Sequence, residues 1–458
     1  MEASETTAVV DRQLDHPETG EVPKVATVAL EDSGVLRALD DEPTFPWARE
    51  YVSHVGKLAE DVTLTAREMA RLIVDGSSRE RLRKVRQVRA RDAHGKLDVN
   101  EQLRSFVVYA EYGKRFEGAY VLRDGDPDRP VVFAEHGLGG TRREFDLLKD
   151  TVPDLAFAAR NRYPSKNAPR PERAAEFEVI FARDLWKLSG GVRDLDRDVV
   201  AVGHSFGTVY WRMLAEASHE IPPLIGLRDG DDVSERLRGM VLINPPELDN
   251  VVKRSPFDLV PGLTPVALRG AIDLTNRIED IAEAVTDHLP KPVRKPLHTL
   301  NADWIINAAI TAPIVSGRLG RPEHVDQAAY RRTVVDAMGN RLQSVHDELG
   351  ILMHGDEIFA MPEEEADGMP PTVVLTCDQD ALVSRVSSYR TYRQLRQRYG
   401  ADKVVYIEVA GGDHGIPWDA RFASLLSELT QRMADDAAGF VRELTRQSPR
   451  GYRYILNS

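Results

Sequence analysis

Four short stretches of the sequence place reactive side chains directly after apolar runs. In Val199-Val200-Ala201-Val202-Gly203-His204-Ser205-Phe206-Gly207, a G-x-S-x-G pentapeptide follows a buried-strand pattern and precedes a helical one. That setting predicts a sharp strand-to-helix turn carrying Ser205, with Gly203 and Gly207 leaving room for it. The turn would lift the hydroxyl above the strand, and the N–H groups opening the helix would face a developing oxyanion. A serine hydroxyl is a weak nucleophile at neutral pH. Such a site therefore needs a base, and the base needs an acid that fixes its tautomer.

The other three stretches hold candidates for those roles. Val131-Val132-Phe133-Ala134-Glu135-His136-Gly137-Leu138-Gly139-Gly140 runs from an apolar strand pattern into a glycine-rich loop. Such loops bring backbone N–H groups close to a small anion. Neither G-x-x-x-x-G-K-[ST] nor G-x-G-x-x-G is present, which argues against phosphate. As an oxyanion loop it would pair the Leu138 N–H with that of Phe206, the residue after the serine. Thr372-Val373-Val374-Leu375-Thr376-Cys377-Asp378-Gln379-Asp380 ends in two acids, and the run from Val404 to Gly415 ends in His414 beside glycines. Serine, acid and histidine come in that order, each just beyond a strand pattern. In an open parallel sheet those ends face one crevice.

Positioning these groups takes a mostly parallel sheet. Phe106–Tyr109 and Tyr120–Leu122 read as strands joined near Gly113, followed by Val131–Ala134, Leu155–Ala159, Val199–Val202, Met240–Ile243, Val373–Leu375 and Val404–Val409. Helical patterns such as Glu172–Leu188 and Val209–Ala217 alternate with them, the signature of a sheet with helices on both faces. A crossover needs only about 30 residues, yet Ile243 and Val373 are much further apart. The insertion, residues 246–369, has helical patterns at Val266–Val285, Ala302–Ile310 and Gln327–Met353 punctuated by prolines, and reads as a helical lid. Its apolar Trp304-Ile305-Ile306 could line an acyl pocket or pack the lid onto the body. Residues 45–102 read as a helical extension opened by Pro46, and residues 1–44 as a mobile tail or, alternatively, a docked extended arm. The catalytic unit is then 103–245 with 370–458.

Composition narrows the partners. The chain has 458 residues, which as a length alone suggests about three units, and a net charge of −13 from 60 basic and 73 acidic residues. That balance argues against nucleic-acid binding, which draws on a basic surface. The run Arg79, Arg81, Arg83, Lys84, Arg86, Arg89 and Arg91 reads as a solvated helix face. The lone cysteine, Cys377, excludes an intramolecular disulfide and a cysteine zinc cluster, and reads as a packing residue. His346 and His354 flank a lid helix without H-E-x-x-H or a comparable cluster, so neither metal nor cofactor is expected. The early acids do not suit a signal peptide, and no stretch approaches the roughly 20 apolar residues of a membrane span. A cytoplasmic location is the expectation.

Over roughly residues 104–435 the chain resembles the alpha/beta-hydrolase superfamily. The resemblance implies Ser205 as nucleophile, His414 as base, Asp380 as acid, and Leu138 and Phe206 as oxyanion N–H donors. It also implies that His136 and His204, with Gly137, Gly203 and Gly207, support loop geometry. Asp380 is preferred over Asp378 because the family's acid usually lies several residues past the strand, ahead of an apolar residue such as Leu382. Two positions depart from the pattern: Cys377 stands where glycine is usual, and Asp413 precedes the histidine in place of glycine. The function implied is a capped serine hydrolase cleaving a carboxylic ester of a small-molecule acyl substrate through an acyl-enzyme. An acyltransferase with an alcohol or thiol acceptor, and a non-catalytic binding module, are the alternatives. The oligomeric state is left open.

Overall fold

The computed structural model describes residues 36–39, 41, 43, 97–109, 115–162, 173–220, 233–247, 347–358 and 368–456, positions 139, 349, 353 and 381 excepted. Ten strands form one sheet: β1 (Leu36–Ala38), β2 (Glu101–Tyr109), β3 (Arg115–Arg123), β4 (Val131–Glu135), β5 (Phe157–Ala159), β6 (Val199–His204), β7 (Leu237–Ile243), β8 (Thr372–Cys377), β9 (Val404–Ala410) and β10 (Tyr452–Ile455). Their order is β1-β10-β9-β8-β7-β6-β4-β5-β3-β2. The pairs from β10 through β5 are parallel, and the outer pairs β1–β10, β5–β3 and β3–β2 are antiparallel.

The central strands are buried on both faces, as β-branched runs such as VVFAE, VVAVGH and TVVLTC require. Alternate residues feed two separate cores. On one face Phe133, Ala201, Leu242, Val374 and Tyr406 pack against α2 (Ala174–Leu195), α3 (Phe206–Glu220) and α5 (Arg385–Tyr399). On the other face Val132, Val202, Ile243, Leu375 and Ile407 pack against α1 (Asp146–Thr151) and α6 (Ala423–Gln447). A short helix, α4 (Gly355–Ile358), contacts α2. The start of β2 is tied by ion pairs to α1 and to the 3-10 turn before it: Glu101 accepts from Lys149 of α1 at 2.8 Å and from Arg142 of the turn at 3.1 Å.

Several elements differ from the sequence reading. Leu155 and Ala156 belong to the turn before β5, where the Leu155 N–H donates to the Val152 carbonyl. Residues 36–38 do not form part of a loose tail: they pair antiparallel with β10, Leu36 opposite Tyr454, and the Leu39 N–H donates to the Gly451 carbonyl at 3.0 Å. At that point the docked-arm alternative describes the chain. The helical extension falls outside the described residues except for 97–102. So does the lid insertion, apart from 246–247, 347–358 and the residues from 368, and with it Trp304-Ile305-Ile306.

Candidate active site

Because β4, β6, β8 and β9 run parallel, their C-terminal ends open on the same side of the sheet. Ser205 sits between β6 and α3 with φ +51. That left-handed conformation costs an L-residue about 1–2 kcal/mol, and neighbouring hydrogen bonds hold it. Its N–H donates to the Ile243 carbonyl at 2.8 Å, and its carbonyl accepts from the Thr208 N–H at 3.0 Å and hydroxyl at 2.6 Å. The flanking glycines are demanded by close approach. A β-carbon on Gly207 would stand 2.1 Å from the Glu135 carbonyl oxygen, and one on Gly203 2.8 Å from Thr208 Cα. Phe206 opens α3 with its ring in the core.

His414 follows β9 and is buried. Its Nδ1 lies 2.7 Å from Asp380 Oδ2. The other oxygen of Asp380, Oδ1, accepts from the backbone N–H groups of Leu382 at 2.7 Å and Val383 at 2.8 Å, so the carboxylate is held from both ends. A carboxylate only accepts, so Nδ1 of His414 donates and Nε2 is the nitrogen with a lone pair. The rival acid turns elsewhere: Asp378 Oδ1 accepts from the Gly411 N–H at 2.7 Å. Asp413 folds back into its own loop, accepting from the Gly415 N–H at 2.8 Å.

Cys377 is buried, and burial, with Asp380 and Asp413 nearby, pushes its thiol well above the ordinary range. It fills the space above Gly412, whose β-carbon would come within 2.9 Å of the sulfur. It packs as the sequence suggested.

The glycine-rich loop presses on the serine turn. A β-carbon on Gly137 would be 3.1 Å from Ser205 Cβ and 3.3 Å from His204 Nδ1. The Gly137 N–H donates to both oxygens of Glu144, at 3.1 and 3.3 Å, and Glu144 also pairs with His204 Nδ1. Leu138, half-buried, packs against the core. The His204 ring stands 4.6 Å from that of His414 and edge-on to Trp418 at 6.1 Å. His136 accepts at Nε2 from the Arg162 N–H at 3.1 Å, so its Nδ1 carries the proton, donated to the Gly137 carbonyl at 2.8 Å.

Three residues here were not read from the sequence. Glu144 and Arg162 lie outside the four stretches singled out in the sequence, and no motif marks them. Asn244 carried only a partial signal: asparagine tolerates positive φ, although the proline after it biases the position toward extended backbone. It adopts φ +48 and clips two loops together, with Oδ1 accepting from the Cys377 N–H at 2.9 Å and Nδ2 donating to the Asp413 carbonyl at 3.4 Å. His354 stacks on Phe177, with centroids 5.4 Å apart. Among the described residues no group of His, Cys, Asp or Glu is placed to hold a metal, and no helix is long and apolar enough to cross a membrane.

A model of the alpha/beta hydrolase family matches residues 131–425. The Cif epoxide hydrolase from Acinetobacter nosocomialis is 13% identical, covering 77% of this chain and 96% of that one, with a TM-score of 0.47. An epoxide hydrolase from Vigna radiata is 12% identical over 76% of this chain and 100% of that one, with a TM-score of 0.45. An esterase from a Rhodococcus species is 14% identical over 72% and 99%, with a TM-score of 0.42. Likenesses this distant bear on neither substrate nor mechanism. A comparison with curated proteins finds no match.

Proposed function

The chain belongs to the alpha/beta hydrolase family, and on that premise we propose that it is a serine hydrolase acting on a carboxylic ester. The observation that carries this reading is the buried His414–Asp380 pair at the C-terminal ends of the parallel strands, the side that also bears the left-handed Ser205 turn. In the proposed reaction Nε2 of His414 takes the Ser205 proton as Oγ bonds to the ester carbonyl carbon. The carbonyl oxygen becomes an oxyanion, received by the N–H groups of Leu138 and Phe206. Collapse expels the alcohol, which leaves with the proton from His414. Water then repeats the sequence on the acyl-enzyme and restores the serine.

The chemistry of the nucleophile favours acyl substrates over epoxides. A serine that opened an epoxide would be left as an ether, which water at this site could not cleave, whereas an acyl ester turns over. The segment 246–369 enters the chain between β7 and β8, and in this reading it caps the crevice and sets acyl length. A fluorophosphonate probe should label the wild type and not Ser205→Ala, and an ester panel graded by acyl length should show turnover that is lost in the variant. A wild type that takes up no probe overturns the reading. Product that depends on an added alcohol would instead indicate acyl transfer.

A further inference from the structure

A buried guanidinium lies directly behind the glycine-rich loop. Arg162 follows β5, and its side chain is almost wholly out of solvent. Nη1 donates to Glu135 Oε2 at 2.6 Å, and Nε donates to Glu348 Oε1 at 3.2 Å, so two carboxylates fix the plane of the fork. The guanidinium also lies over the Tyr210 ring, 4.8 Å from its centroid. Thus oriented, Nη2 donates to the carbonyl oxygens of His136 and Gly137, the latter at 3.0 Å.

Those two carbonyls belong to consecutive peptides of the loop. The first peptide is gripped on both sides: Arg162 takes the His136 carbonyl, and Glu144 takes the Gly137 N–H. In the second, the Gly137 carbonyl accepts from Arg162, from His136 Nδ1 at 2.8 Å and from the Gly140 N–H at 3.0 Å. A trans peptide points its N–H opposite to its carbonyl. The Leu138 N–H is therefore turned away from the guanidinium, while the adjoining Gly137 Cα lies against Ser205.

We propose that Arg162 is a positioning residue that holds the Gly137–Leu138 peptide with its N–H available to the oxyanion. Glu348, from the far side of the 246–369 insertion, helps to aim it. This rests on the serine-hydrolase reading. Arg162 does not touch the substrate; it acts by preventing the peptide from rotating. Methionine keeps the stem but loses every donor. Lysine keeps the charge between Glu135 and Glu348 but cannot reproduce a planar fork that reaches two carboxylates and two carbonyls together.

The test uses the full chain, with active sites counted by the p-nitrophenol burst. For Arg162→Lys and Arg162→Met, kcat per titrated site on p-nitrophenyl butyrate should fall by about 10²-fold, the order seen on losing one oxyanion donor. KM should stay within about threefold, because ground-state binding does not use this N–H. Affinity for phenylboronic acid, which forms an anionic tetrahedral adduct on serine, should weaken by a similar factor. A merely structural role gives the opposite signature, in which the titrated fraction and melting temperature fall while the sites that remain keep wild-type kcat and boronate affinity. That result in the lysine variant overturns the proposal even if the methionine variant does not fold. A wild type with neither burst nor probe labelling overturns the hydrolase reading, and this inference with it.

Discussion

Replacing Asp380 with asparagine changes one oxygen to an amide nitrogen, and the surrounding hydrogen bonds determine which one. Oδ1 accepts from the Leu382 and Val383 N–H groups, so the asparagine must keep its oxygen there and turn its NH2 toward His414. Nδ1 of His414 would then accept instead of donate, the ring proton would move to Nε2, and the base proposed for the serine would be lost. Flipping the amide would restore the tautomer but leave two buried N–H groups facing an NH2. At about 1–3 kcal/mol for each unsatisfied donor, that costs about 2–6 kcal/mol, or roughly thirty-fold to twenty-five-thousand-fold in kcat. Asp378→Asn is the control. An amide oxygen can still accept from Gly411, so its kcat should stay within about twofold. Initial rates on p-nitrophenyl butyrate for both variants, with circular dichroism to confirm folding, decide the matter. An Asp380→Asn enzyme within about threefold of wild type, or an equal loss in Asp378→Asn, would refute the assignment of acid and tautomer.

Ser205→Gly should be more stable than Ser205→Ala by about 1 kcal/mol in urea titrations, because glycine alone tolerates φ +51 freely, and both should be inactive. Equal midpoints would mean the turn is not strained. Gly207→Ala should lose about 3 kcal/mol or fail to accumulate as soluble protein, since its methyl would meet the Glu135 carbonyl; wild-type thermal stability would contradict that close approach. Burial pushes the Glu101 carboxyl up, but the Lys149 ammonium, the Asp98 N–H and Arg142 outweigh it and hold the group below its usual range. A depressed folded pKa gives stability that is complete above the unfolded value near 4.5 and disappears as pH falls through the lower folded value. Glu101→Gln should therefore flatten the acid limb of unfolding midpoints below about pH 5. Parallel curves for variant and wild type would show that the cluster contributes nothing there.

The parts of the molecule visible in the sequence are those whose evidence is local. β4, β6, β7, β8 and β9 are buried on both faces, so their apolar runs mark them without any partner, and Ser205, Asp380 and His414 each follow a strand end closely. The edge strands leave weaker traces. Leu36–Ala38 is three residues long, and β10 is only Tyr452–Ile455, with alternate residues exposed. Helix α5 was missed because its buried stripe is built from Tyr389, Tyr392, Leu395 and Tyr399 between arginines, which lowers its hydropathy without changing its packing. The support behind the glycine-rich loop was invisible for another reason. Glu144 meets His204 across 60 residues and Arg162 meets Glu348 across 186, and only the folded sheet brings such distant polar residues together.

Among the described residues β1 and β2 are consecutive strands, yet they form opposite edges of the ten-stranded sheet. At ~4.8 Å per interstrand step, nine steps separate those edges by about 43 Å along the hydrogen-bonding direction. β1 and β2 are therefore held far apart, at the two ends of the sheet, and the chain joins those ends covalently. A chain begun at β2 would still contain all the proposed catalytic groups. It would also present the outer backbone of β10 as an unpaired edge, open to strands of other molecules, so the first consequence of trimming there would be self-association.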